Sequence, residues 1–131
     1  MLLALQKKGE LLSIEEISVQ LSVSKAHLMK IINQLAALEF VETVRGRYGG
    51  VRLYDKPADI NIGDIFRQLE EITEIVDCSD GPCLFQGSCV LNTAFEKATE
   101  AFLQTLDAYT LADLVRKRSH LQKIVLHRQT G

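Results

Sequence analysis

A chain of 131 residues, 47% of them apolar, buries one hydrophobic core with little left beyond a projecting element, so one domain plus an extension is expected. No apolar run reaches the roughly 20 residues of a membrane span, and Met1-Leu-Leu-Ala-Leu5 lacks the basic segment that precedes a secretory core; membrane and exported classes are excluded and a cytoplasmic protein is expected. The formal net charge of −2 is unevenly spread: residues 1–56 carry eight Lys/Arg against six Asp/Glu and residues 57–131 seven against eleven, a small excess in the first half that does not by itself identify a nucleic-acid binder.

Ser13-Ile-Glu-Glu16 has the form of a capping box, with a side-chain oxygen and a carboxylate three residues apart to satisfy the first amides of a helix. Ile14, Ile17 and Leu21 follow at helical spacing, and Leu21-Ser-Val-Ser24 supplies a brief turn and a second cap. A longer helix is expected from Lys25 to about Glu39, with Leu28, Ile31, Ile32, Leu35 and Leu38 as one apolar stripe. This order is a helix-turn-helix, in which the early outward residues of the second helix meet the major groove. Here these are Lys25, His27, Lys30 and Asn33, with Ala26 between them: Lys reaches phosphate or guanine, Asn pairs with adenine and His donates to phosphate. The alternative is a plain solvated helix face.

A hairpin follows. Phe40-Val-Glu-Thr-Val44 alternates, Arg45-Gly-Arg-Tyr-Gly-Gly50 turns, and Val51-Arg-Leu-Tyr54 returns, which directly after a recognition helix makes a wing. Arg45, Arg47, Tyr48 and Arg52 join the candidate DNA contacts, set among glycines that permit a close approach to phosphate or a narrow groove. After Pro57, Ile60-Asn-Ile-Gly63 leads into a short amphipathic helix over residues 64–71.

All three cysteines then fall in twelve residues, Cys78-Ser-Asp-Gly-Pro-Cys83-Leu-Phe-Gln-Gly-Ser-Cys89. An odd number of clustered cysteines in a reducing compartment argues for metal binding or redox chemistry rather than a disulfide framework. From spacing alone an iron-sulfur cluster, a tetrahedral zinc site and an unmetallated thiol switch all stay open, although zinc usually takes a second close pair or a histidine. Beyond the cysteines, Ser88 is expected to cap a long helix from about Cys89 to Asp107 with Leu91, Ala94, Phe95, Ala98, Phe102 and Leu106 on one face, suited to burial against a second copy in a two-fold dimer. Ordinary packing onto the first domain is the alternative. Thr110-Leu-Ala-Asp113 starts a last short helix through Arg118.

No Gly-rich phosphate loop follows a strand, no Ser-His-Asp order stands out, and Glu70 with Glu71 read as a solvated helix end, so an enzyme is not expected. The expected fold class is mainly α: a winged helix-turn-helix over residues 1–71, a cysteine loop over 72–89, and a dimerisation helix with C-terminal helices over 90–131.

Lys30-Ile-Ile-Asn-Gln-Leu35, Val44-Arg-Gly-Arg-Tyr-Gly-Gly-Val-Arg-Leu53, Ile62-Gly-Asp-Ile65, the three cysteines and Leu106-Asp-Ala-Tyr-Thr-Leu-Ala-Asp-Leu114 together resemble the winged-helix iron-sulfur transcriptional repressors. The resemblance covers nearly all of residues 10–118. The C-x4-C-x5-C spacing and the Tyr-Thr-Leu-Ala-Asp-Leu run look like the nitric-oxide-sensing branch, with the cluster-biogenesis branch second. The resemblance implies a homodimer on a palindromic double-stranded DNA operator, with a 2Fe-2S or 4Fe-4S cluster held by Cys78, Cys83 and Cys89. It further implies that nitric oxide nitrosylates the cluster, releases the DNA and derepresses nitrosative-stress genes. Members of that family begin further upstream, with a helix whose acidic residue is proposed in some of them as the fourth ligand from the partner subunit. This chain is therefore expected to start within or after the last turns of that helix, which leaves the fourth ligand unassigned among Asp77, Asp80, His120 and His127.

Overall fold

A computed structural model of the chain describes residues 1–69, 83–85, 87–117 and 121. After a 3-10 turn at Leu3–Leu5, helix α1 (Ile14–Leu21) begins on the capping box: the Glu16 N–H donates to Ser13 Oγ at 3.2 Å and the Ser13 N–H donates back to the Glu16 carboxylate at 2.8 Å. Ser22 turns the chain through a left-handed conformation, φ 55°, and the Ser18 hydroxyl donates to Val23 O at 2.7 Å, closing the turn. Ser24 then caps helix α2 (Lys25–Ala37) by accepting from the His27 N–H.

Helix α2 ends two residues before the expected Glu39, and the reason is a Schellman motif without glycine. Phe40 N–H donates to Leu35 O at 2.9 Å, Glu39 N–H donates to Ala36 O at 3.1 Å, and Glu39 itself takes φ 59°. The reversal feeds strand β1 (Val41–Val44), which pairs antiparallel with β2 (Gly50–Leu53) in the register Val41–Leu53, Glu42–Arg52, Thr43–Val51 and Val44–Gly50. Gly46, at φ 116°, takes the turn conformation that a Cβ disfavours. Leu12 adds a bridge to the outer edge of β2, exchanging two hydrogen bonds with Val51. Val51 is therefore the most buried large side chain described, 1% exposed, inside a core of Leu12, Ile17, Leu28, Ile32 and Val41.

Helix α3 (Ile62–Leu69) starts two residues earlier than expected, and α4 (Val90–Asp107) has the expected length. A second core of Ala4, Leu5, Ile60, Leu111 and Val115 joins opposite ends of the chain, so α5 (Leu111–Leu114) docks beside the first residues instead of projecting. Its box is formed, with Thr110 and Asp113 bonded reciprocally, but the helix stops at Leu114; Arg118, its expected end, lies outside the described residues.

Two expectations for α4 need correction. The residue at its start is Cys89, not Ser88, whose N–H instead donates to Phe85 O in the preceding turn. The single apolar stripe is in fact two. Phe95, Leu103 and Leu106, with Thr99 between them, form a half-buried to buried line on a helix that packs against α3, while Leu91, Ala94 and Ala98 stay exposed and Phe102 is 46% exposed at the boundary. At 100° per residue, two neighbouring lines read as one broad stripe in sequence. No helix among the described residues is long and apolar enough to cross a membrane.

Candidate nucleic-acid interface and cysteine site

The capped start of α2 orients its outward face. Leu28 and Ile32 are buried, which turns Lys25, His27, Lys30 and Asn33 to solvent. Lys30 and Asn33 are three apart and share the centre of that face with Ala26. Lys25 is instead ion-paired with Glu15 of α1; both side chains are more than half exposed, so the pair is weak. Met29, 43% exposed on the same helix, is an apolar surface residue that the charge-based reading passes over.

The wing separates its arginines. Arg45 and Arg47 are exposed in the turn, and the Arg47 guanidinium lies 5.8 Å from the ring centre of Tyr48, which is 84% exposed. Arg52 is different: it sits within β2 and donates to both carboxylate oxygens of Glu42 on β1, at 2.9 and 3.0 Å. Hydrogen bonding to Arg52 holds the Glu42 carboxyl below its ordinary pKa and raises that of Arg52. The structure thus presents Arg45, Arg47 and Tyr48 at the tip and pairs Arg52 with Glu42 across the hairpin.

Cys83 is exposed and Cys89 half-buried, both as free thiols. They line one open cavity of about 410 Å³ with Gly87, Ser88 and Asn92. Gly87, at φ 83°, and the Ser88 to Phe85 hydrogen bond fold the chain between the two cysteines. Cys89 is the N-terminal capping residue of α4 and makes no side-chain cap bond, so its sulfur borders a helix end that favours negative charge. Two thiols lining one cavity are donors of the type that a thiophilic metal takes, although among the described residues no third donor joins them. Cys78 lies outside the described residues, as do Asp77, Asp80, His120 and His127.

A joint between α3 and α4 lies at the other end of α4 from the cysteines. Arg67 donates to Asp107 through both terminal nitrogens, at 2.5 and 2.7 Å, and Phe66 meets Phe102 edge to face at 5.2 Å between ring centres. Asn61 Nδ2 donates to Asp107 O at 2.8 Å while its Oδ1 accepts from the Asp64 N–H, and Ile62 N–H donates to Tyr109 O at 3.0 Å. Hydrogen bonding from Arg67 holds the Asp107 carboxyl below its ordinary pKa. Nothing in local spacing announces this pair, since its members are forty residues apart.

A helix-turn-helix with an exposed polar recognition face, followed at once by an arginine-tipped hairpin, defines a winged-helix DNA-binding transcriptional regulator. The chain belongs to the Rrf2 family of iron-dependent transcriptional regulators, whose family model matches residues 1–117. It is 43% identical over 126 residues to the HTH-type transcriptional regulator NsrR of Bacillus subtilis, covering 94% of this chain and 86% of that protein. The NsrR of Bacillus licheniformis is 40% identical over 126 residues, covering 94% and 88%. Among solved structures, T. potens IscR superposes with a TM-score of 0.71 at 30% identity over 92% of this chain and 80% of that one. CymR, the global cysteine regulator of B. subtilis, gives 0.70 at 27% identity over 88% and 85%. These relatives are named as regulators, not as enzymes.

Proposed function

We propose that the protein is a cytoplasmic, homodimeric repressor of the nitric-oxide-sensing type, with Cys78, Cys83 and Cys89 holding an iron-sulfur cluster that controls affinity for a palindromic operator. The observation that carries this reading is that two free thiols, Cys83 and Cys89, line the same open cavity at the start of α4. The names of the NsrR relatives support the same signal. When bound, such a cluster supplies an iron centre reactive toward a small diatomic molecule, because three thiolates leave one coordination position to a weaker or exchangeable ligand.

The chain's own residues do the rest. Lys30, Asn33 and His27 read or clamp the major groove, Lys25 moves from Glu15 to a phosphate, and Arg45, Arg47 and Tyr48 contact the flanking backbone or minor groove. Arg52 contributes by holding the wing in shape through Glu42. The exposed line Leu91, Ala94 and Ala98 is the dimer face, closed by the same line of a second copy; its small residues allow two helices to approach closely. Residues 1–71 then act as reader, 72–89 as sensor and 90–131 as dimer unit with C-terminal helices.

The test is anaerobic purification followed by an absorption spectrum with iron and sulfide counts, then gel retardation of a duplex selected by the protein from a random pool. A brown protein that bleaches with nitric oxide and releases the duplex in parallel is expected. A colourless protein with stoichiometric zinc overturns the reading. Sedimentation of wild type against Leu91→Glu tests the dimer face, with the variant expected to shift to monomer.

A further inference from the structure

We infer that the Arg67–Asp107 pair is the positioning element that carries the state of the cysteine site to the DNA-reading half, an inference that rests on the proposed control of operator binding by that site. Helix α3 leads into the cysteine-bearing segment and α4 leads out of it, so the pair joins the two flanks of that segment. Cys89 stands at one end of α4 and Asp107 at the other. At the Asp107 end, Asn61 and Ile62 hydrogen-bond the chain leaving α4, and the neighbouring Ile60 is buried in the core shared with Leu5 and Leu111. Motion of the cysteine end of α4 therefore has a fixed point to act against, and that point belongs to the segment leaving the wing.

The geometry fits positioning better than stabilisation. Both partners are more than a third exposed, where a single ion pair contributes little. Residue 63, in the first turn of α3, is a glycine, and a Cβ built on it falls onto Asp107 Oδ1, so the carboxylate sits in space that a larger residue would contest. A guanidinium fork with two bonds fixes an angle as well as a distance, which a point charge does not. Fixing the angle between α3 and α4 is what a two-state coupling element has to do.

The test measures operator affinity of cluster-loaded and cluster-free protein for wild type, Asp107→Asn and Arg67→Lys, on the duplex selected above. Wild type is expected to show a ratio of at least about tenfold between the two states, within the usual range of allosteric coupling, and both variants to bring it below about threefold. Cluster content and absorption spectrum of the variants are expected to stay near wild type, and the melting temperature to fall only slightly, as for an exposed ion pair. Because Lys keeps the charge and loses the fork, wild-type coupling in Arg67→Lys overturns the inference. Equal weakening of both states, or loss of the cluster, makes the pair merely structural and also overturns it. If wild type itself shows no difference between its two states, the functional reading falls, and the inference with it.

Discussion

Glu42 and Arg52 face each other across the hairpin and are joined by two hydrogen bonds of 2.9 and 3.0 Å. Arg52 thus has a carboxylate partner within the hairpin while Arg45 and Arg47 stand exposed in its turn, and the two kinds are expected to contribute differently to DNA binding. Arg45→Ala and Arg47→Ala are each expected to weaken DNA binding and to lower the slope of log affinity against log salt by about 1. Arg52→Ala is expected to leave that slope unchanged. Fluorescence anisotropy titrations at several salt concentrations separate the cases, and a lowered slope for Arg52→Ala refutes the division.

Gly63 is bare because Asp107 occupies the space beside it. In Gly63→Ala the carboxylate either overlaps the new methyl group or swings away and releases Arg67. The overlapping atoms are the ends of part-exposed side chains that can move aside, so the cost lies at or below the low end of the about 1–3 kcal/mol of core overpacking. Thermal unfolding followed by circular dichroism is expected to show a lowered Tm for Gly63→Ala, with much of the loss recovered in Gly63→Ala/Asp107→Ala. No recovery in the double variant means that the steric account is wrong.

Replacing Cys78, Cys83 or Cys89 singly by Ala is expected to abolish iron retention while leaving helical content nearly unchanged. Neither Cys83 nor Cys89 belongs to a hydrophobic core, so no core contact is lost with either sulfur. Iron assay and far-ultraviolet circular dichroism on the three variants check this. A variant that keeps full iron removes its cysteine from the ligand set.

Among the described residues, four carboxyls have lowered pKa values: Glu16 through Ser13, Glu42 through Arg52, Asp107 through Arg67 and Asp113 through Thr110. A carboxyl more acidic in the folded than in the unfolded chain adds stability that is fully present above its unfolded pKa. That stability is lost as pH falls through the folded pKa. Melting temperature is therefore expected to be level above about pH 5 and to fall through and below the ordinary carboxylate range of about 4. Asp113→Asn is expected to melt below wild type near neutrality and to converge with it in acid. A constant difference across that range contradicts the assignment.

Much of the reading half was legible because its signals are local. Ser13, Glu16 and Ser24 mark two helix starts, and alternation around a glycine-rich turn marks the hairpin. The end of α2 was not, since Glu39 takes a left-handed conformation that sequence usually advertises with glycine. The role of Arg52 was available but unread: counting back from the turn in register places Glu42 opposite it. The Leu12 bridge, the shared core of Leu5 with Leu111, and the Arg67–Asp107 pair depend on chain reversals that no local pattern encodes. Cys83 and Cys89 were singled out by their clustering in sequence, whereas the position of Cys89 at the head of α4 emerged only once Ser88 was seen to bond elsewhere.

That position has a mechanical consequence. Helix α4 has 18 residues, a rod of about 27 Å at roughly 1.5 Å per residue, held at its far end by Asp107 and loaded at its near end by a sulfur. A tilt of about 5° about the held end moves the near end by about 2 Å, the scale on which a ligand enters or leaves a metal. On the proposed function, the rod would serve as a lever that turns a rearrangement at the Cys89 sulfur into a change of direction.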